Sequence, residues 1–326
     1  MHPAFSVIFL TTLIGIGQGL FLALFTGQVY SLAQLLPAQE SQNFYALGGF
    51  VALVFLAGGL LASFFHLGHP ERAWRAVTQW RTSWLSREVI VLPVFMGLVF
   101  LYVLIHFFGW TQPLFTVSDA LPVDLSLIVG FLASIAAFVL FLSTAMIYAS
   151  LKFLKEWYTP LTVVNFTFLG LASGFMFAAA FSAYEGIDLV AFFGTWAVIF
   201  TLISAITRFA SLIRNRNLRH NFNLSSAIGV RHQTIRQQTQ GFMGGSFNTR
   251  EFFHHKSPFF VNSMRRIFLV LVFLVPVALI VASYFMQSAF LPMVAFAVQY
   301  IGLMAERWYF FAEAKHPQNQ YYQAIS

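Results

Sequence analysis

The chain has no cysteine. That excludes a disulfide scaffold, a cysteine-ligated iron–sulfur cluster and a thiol nucleophile within it. It is also short of charge. Only 9% of its 326 residues are Asp, Glu, Lys or Arg, against about 25% in a typical soluble domain. A soluble domain of this length could not cover its surface with so few polar groups, so a soluble enzyme is excluded, and a disordered or fibrous chain with it. What the chain has instead is apolar bulk: 59% of residues are hydrophobic and 41 are Phe.

An α-helix needs about 20 mainly apolar residues to cross the hydrocarbon core. The sequence predicts eight such runs, at Phe5–Val29, Tyr45–His66, Glu88–Gly109, Asp124–Ala149, Pro160–Ala183, Leu189–Ile213, Ile267–Met286 and Leu291–Phe311. They are apolar all round and lack the two-residue alternation of a membrane barrel, so the expected fold is an all-α integral membrane bundle of eight transmembrane helices. The opening Met1-His2-Pro3 has no basic segment and no small-residue cleavage site, and the first run reads as a retained helix. No internal repeat and no pair of broken helices is visible, which argues against a transporter.

An even span count puts both termini on one side with segments 67–87, 150–159 and 214–266. All 18 Lys and Arg residues fall in those segments, their helix ends or the C-terminal tail. The opposite loops, near 31–43, 110–123, 184–188 and 287–290, carry none. A wrong span count would scatter the basic residues over both faces. The positive-inside rule therefore predicts both termini and the 214–266 loop in the cytoplasm. We read residues 1–326 as one membrane-anchor domain, with 214–266 as a long basic cytoplasmic loop. Its Arg residues and its Gly- and Phe-rich stretch Gly241–Phe247 resemble a protein-contact surface more than a nucleic-acid one. Candidate docking residues are Arg72, Arg75, Arg231, Arg236, Phe247 and Arg250.

Ionisable groups at membrane depth are costly and mark candidate sites. His66 ends the second run and Glu88 opens the third, with Arg81 and Trp84 between them. Arg208, Glu306 and Arg307 lie at similar depth, and Gln18 sits within Gly15-Ile16-Gly17-Gln18-Gly19, where small residues permit close helix approach. The bland reading is that the charged groups pair or snorkel and that the Trp residues settle at the interface. The functional reading is quinone oxidoreduction. An interfacial His can donate to a quinone carbonyl, a half-buried Glu can exchange protons, and an apolar wall accepts an isoprenoid tail. The candidate quinone residues are His66, Glu88, Gln18, Trp84, Arg81, Arg208 and Glu306. His66 and His106 are the histidines inside predicted runs, and they fall near opposite faces, so they cannot ligate one haem. His254-His255 has no supporting ligand. The sequence therefore predicts no haem and no metal in this chain, and a partner that holds the redox metals.

The runs Met1–Thr12, His66–Trp74, Trp80–Glu88, Gly241–Phe253 and Ala305–Phe311 resemble the DMSO reductase anchor subunit (DmsC-like) family over nearly the full length. The resemblance is greatest to the branch serving sulfite-oxidising complexes. It implies a haem-free eight-helix anchor in the bacterial cytoplasmic membrane. The implied partners are an iron–sulfur subunit and a molybdopterin catalytic subunit, here on the cytoplasmic side, besides membrane lipid. It also implies a site for ubiquinone or menaquinone at His66 and Glu88, with Gln18 on a Gly-Gln pair of the same pattern. The expected activity is transfer of electrons from sulfite oxidation to quinone. The alternative is an anchor for a DMSO or other S/N-oxide reductase that oxidises menaquinol.

Overall fold

The computed structural model describes residues 1–117, 121–184, 186–219, 222–235 and 252–317. The long helices are α1 (Phe5–Leu32), α2 (Leu47–Phe64), α3 (Trp84–Phe107), α4 (Leu125–Ala149), α5 (Pro160–Phe181) and α6 (Ile187–Arg216). Two short helices follow, α7 (Leu224–Ile228) and α8 (Pro258–Phe268), then α9 (Val275–Met286) and α10 (Phe290–Glu313). A π-helical turn at Ser41–Ala46 leads into α2, and another at Leu269–Leu274 joins α8 to α9 in one continuous helix. Seven helical segments are long and apolar enough to cross a membrane. With no water in the hydrocarbon to bond a free backbone, a helix that satisfies its own amides is the stable form for such runs.

Side chains set where several helices start. Ser83 accepts from the Ser86 amide at the head of α3, Asp124 from Leu127 at α4, and Thr159 from Leu161 at α5, where Pro160 takes the first position. Helices α1 and α5 form the centre: 78% and 72% of their apolar windows are buried, against 28–39% for the other five segments. The peripheral helices turn large apolar side chains outward, such as Phe50, Phe131 and Ile206, as lipid-facing surfaces do. Glycines let α1 and α5 approach closely. A Cβ on Gly19 would sit 3.0 Å from the Gly174 Cα, and one on Gly15 3.6 Å from the Gly170 Cα.

The start of α1 and the end of α10 meet at one end of the bundle, where the Met1 amine donates to the Ala314 carbonyl (2.9 Å). The Arg214 guanidinium donates to the Lys155 carbonyl (3.0 Å) and the Trp157 indole to the Phe310 carbonyl (3.0 Å). We call this the basic end, because the described Lys and Arg side chains lie in the segments and helix ends gathered there.

Three sequence expectations need correction. The segment between α3 and α4 contains a two-stranded antiparallel hairpin, Pro113–Val117 with Leu121–Asp124. Short runs of Leu, Phe, Thr and Val suit a pleated strand. Helix α2 stops at Phe64, which leaves His66 in the following turn and not inside a span. The 214–266 loop is shorter than expected, because α6 runs on to Arg216 and α8 begins at Pro258 behind the Ser257 cap.

Candidate functional site

At the basic end, residues Pro70–Gln79 form an amphipathic 3-10 helix between α2 and α3. Arg87 organises the chain that follows it. Its guanidinium donates to the carbonyls of Trp80 (3.0 Å) and Arg81 (2.9 Å) and lies 4.1 Å from the Trp84 ring centroid. Arg72, Arg75, Arg81 and Arg231 are exposed, and Trp84 is half-buried. Arg236, Phe247 and Arg250, with the Gly241–Phe247 stretch, lie outside the described residues.

Glu88 sits one turn into α3 and is buried, not half-buried as the sequence reading held. Thr144 of α4 donates its hydroxyl to the carboxylate (2.5 Å). Tyr148, one turn further along α4, lies within electrostatic reach of both Glu88 and Arg307. His66 is exposed in the turn after α2, with its ring near the Ala62 carbonyl. Partial burial lowers its pKa from the usual histidine value, which favours the neutral ring with one donor and one acceptor. Among the described residues no hydrogen bond or ion pair joins His66 to Glu88. Beside His66, an apolar groove of about 360 Å³ runs between α1 and α2, lined by Ser6, Phe9, Leu13, Leu61, Ala62 and Phe65 among others.

Arg208 and Glu306 do not line that groove. They form a buried ion cluster that joins α6 to α10. Arg208 Nε lies 2.7 Å from Glu306 Oε1 and Nη1 3.9 Å from Glu313, while Arg307 Nη1 lies 3.5 Å from the other Glu306 oxygen. The Arg307 guanidinium packs 3.7 Å from the Phe166 ring centroid. Neither Glu306 oxygen accepts a well-directed hydrogen bond among the described residues, so the contact is charge attraction with poor hydrogen-bond geometry. Gln18 is buried mid-bundle and donates to the Ala137 carbonyl (2.8 Å). The expected quinone residues thus fall into separate groups: His66 by the groove, Glu88 on α3 against Thr144 of α4, Arg208 with Glu306, and Gln18 with the Ala137 carbonyl. Sequence reasoning missed Thr144, Tyr148 and Arg87. A Ser143-Thr144 pair inside an apolar run was the available signal for the first.

The segment leading into α8 packs on the same end. The Lys256 amide donates to His254 Nδ1 (3.1 Å), which requires that nitrogen to be unprotonated. Burial, then the Met1 amine, His255, His2 and Lys256, lower the His254 pKa to about 4. The unfolded chain therefore binds this proton more readily than the folded one between about pH 6.5 and 4, and stability falls as pH drops through that window. His254→Gln is expected to shrink the acid-induced fall in melting temperature between pH 6.5 and 4. An unchanged pH profile would show that His254 does not carry this acid sensitivity.

Among the described residues no group of His, Asp and Glu is arranged to hold a metal ion. These features define a multi-pass membrane protein built as a helical bundle, with a polar, cation-rich end and an apolar groove beside a histidine. A family described as DMSO reductase anchor subunit (DmsC) matches residues 1–312, and the chain belongs to that family. It is also similar to a sulfite dehydrogenase subunit of Allochromatium vinosum, at 62% identity over 326 residues, with all of both chains covered.

Proposed function

We propose that this chain is the quinone-interacting anchor of a molybdopterin and iron–sulfur oxidoreductase that passes electrons from cytoplasmic sulfite oxidation to the quinone pool. The observation that carries the reading is the meeting of His66, an apolar groove and a cationic surface at one end of the bundle. Full-length similarity to a sulfite dehydrogenase subunit supports the substrate. In this reading α10 is an eighth span, despite Glu306, Arg307 and Glu313 in its last turns, because its start and end lie at opposite ends of the bundle. Both termini then face the cytoplasm of a bacterial cell by the positive-inside rule.

The residues fit a quinone in part. The α1–α2 groove is wide and apolar enough for a ring and the start of an isoprenoid tail, and His66 directly follows Phe65 of its lining in the chain. Bound quinone supplies a two-electron, two-proton acceptor, matching the two electrons and two protons released when sulfite and water become sulfate. The neutral His66 ring donates to a quinone carbonyl and exchanges its proton with the nearby water. Glu88 serves as the proton reserve of the site, held by Thr144. Trp84 and Arg81, in the segment braced by Arg87, are the further candidate contacts. Arg208, Glu306 and Gln18 act through the packing that orients α6, α10, α1 and α4. Arg72, Arg75, Arg231, Arg236, Phe247 and Arg250 supply the docking surface for the iron–sulfur subunit, which holds the clusters and contacts the molybdopterin subunit.

The test uses the assembled complex. His66→Ala and Glu88→Gln are each expected to lower sulfite:quinone turnover by about 10²-fold or more, with sulfite oxidation by an artificial acceptor retained. Equal loss of both activities would overturn the reading. The family description favours a second direction, quinol oxidation by an S- or N-oxide reductase. Reduction of such oxides by the purified complex, without turnover of sulfite, would select it.

A further inference from the structure

Reduction of one quinone consumes two protons, and Glu88 is only 6% exposed. A proton that leaves its carboxyl is therefore replaced through its neighbours, and polar neighbours lead away from it along α4 and α10. Thr144, which donates to the carboxylate, lies one turn before Tyr148 on the same face of α4. The Tyr148 ring stacks on Phe166 of α5, with 5.5 Å between centroids, and the Arg307 guanidinium lies 3.7 Å from the centroid of that same Phe166 ring. Tyr148 is within electrostatic reach of both Glu88 and Arg307. It thus stands between the buried carboxylate of α3 and the ion cluster of α10.

The cluster continues towards the surface. Glu306 and Glu313 are two turns apart on one face of α10, a separation of about 10 Å along its axis. Arg208 of α6 meets both carboxylates, at 2.7 and 3.9 Å. The Glu313 side chain is 15% exposed, against 1% for Glu306, and lies beside Asn215 in the last turn of α6. The series Glu88, Tyr148, Glu306 and Glu313 therefore runs from the buried carboxylate to the basic end, with Arg307 and Arg208 at its joints.

A pair that served packing alone would favour the two parallel hydrogen bonds that a guanidinium and a carboxylate form together. Here Arg208 Nε and Nη2 and both Glu306 oxygens are buried without a well-directed hydrogen bond among the described residues. Donors and acceptors clustered in this way are the setting in which a protein holds internal water. Guanidiniums do not give up their protons, so the arginines hold and orient while carboxylates, phenol and water carry. We propose that Glu313, Glu306 and Tyr148 relay protons from the basic end to Glu88, across water oriented by Arg208 and Arg307. The relay rests on the quinone role proposed above and supplies its protons, beside the part the cluster plays in packing. Each group loses one proton as it gains one. Glu313 takes a proton from cytoplasmic water as Glu306 hands one on. The Tyr148 oxygen accepts that proton as its own O–H proton passes to Glu88, and Glu88 releases one to the quinone site. Two such passages, with the two electrons from sulfite, complete one quinol. These are positioning and relay groups that touch no substrate.

The test uses the purified complex in nanodiscs, with sulfite as donor and decylubiquinone as acceptor. Tyr148→Phe removes one oxygen and keeps the ring, and Glu313→Gln removes the outermost carboxylate. Each is expected to lower turnover about tenfold or more and to raise the solvent deuterium isotope effect. The KM for decylubiquinone and the rate with an artificial acceptor should not change. Acetate is expected to restore part of the lost rate in both variants, since a small acid carries protons past the missing group, and Glu313→Asp should retain most of the rate. Tyr148→Phe alone decides the matter where Glu313→Gln fails to assemble. Turnover within about twofold of the unaltered complex would overturn the relay, and so would a loss that acetate does not restore, which marks a structural role. Glu88→Gln separates the two readings. Full quinone turnover in that variant removes the quinone reading itself, whereas its loss beside fully active Tyr148→Phe and Glu313→Gln removes the relay alone.

Discussion

Glu306→Gln is expected to destabilise the chain by about 3–5 kcal/mol, the usual cost of breaking a buried ion pair from one side. Glu306 is 1% exposed and faces two cations, Arg208 at 2.7 Å and Arg307 at 3.5 Å. With its charge removed, both guanidiniums stay in a low-dielectric interior, with Glu313 as the nearest remaining acid among the described ion pairs, at 3.9 Å from Arg208. Their existing contacts do not rescue them. Arg307 lies over the Phe166 ring and Arg208 lies 5.5 Å from the Phe268 centroid, which cushions a cation without neutralising it. The check is thermal melting of the complex in detergent, together with the double variant Arg208→Gln/Glu306→Gln. The double variant restores charge balance between Arg307 and Glu313 and should lie well above the sum of the two single losses. Additive losses would mean that the two charges do not interact, and that the close contact carries no energy.

This cluster also shows what the sequence could and could not reveal. The apolar runs were legible because crossing a membrane is a property of length and composition, which each segment settles alone. The observed spans start and stop within a few residues of the expected ones, except where α8 extends the seventh run back to Pro258. The direction in which each polar side chain points was not legible. In a helix that is apolar on every face, no stripe records its rotation about its own axis. Thus Glu88 could be placed near a helix end, but Thr144 as its partner depends on how α3 faces α4. Arg208 and Glu306 were expected at one depth, yet only the packing of α6 on α10 makes them neighbours. Gln18 was grouped with them through its glycines, and those glycines instead mark the crossing with α5, while its amide reaches α4. The 113–124 hairpin escaped because short strands leave little signal beside runs of more than 20 apolar residues. His66 fell outside its helix because the last turn of α2 ends in paired aromatics with no capping residue to mark the boundary.

The opposite test of the fold is to add atoms where there is no room. Gly174→Val is expected to prevent stable packing of the bundle, with a cost at or above the upper end of the usual overpacking range of about 1–3 kcal/mol. A Cβ at Gly174 meets the backbone of Gly19 and Leu20, and one at Gly19 meets the backbone of Gly170 and Gly174. A side chain in the way could rotate aside, but a helical backbone moves only by separating α1 from α5. Those two helices are the most buried spans, so the separation propagates. On one side α2 packs against α1, and on the other α6 packs against α5. Lipid offers no compensating gain, because helices in a bilayer associate through close packing and not through escape from water. Gly97 supplies the control, since nothing lies within 4 Å of a Cβ added there. Gly97→Val should leave melting near that of the unaltered chain, while Gly174→Val should abolish the folded fraction recovered in detergent. Equal behaviour of the two variants would mean that α1 and α5 do not cross at these glycines. The arrangement of α2 and α4 around α1, which sets where Glu88, Gln18 and the groove beside His66 lie, would then have to be redrawn.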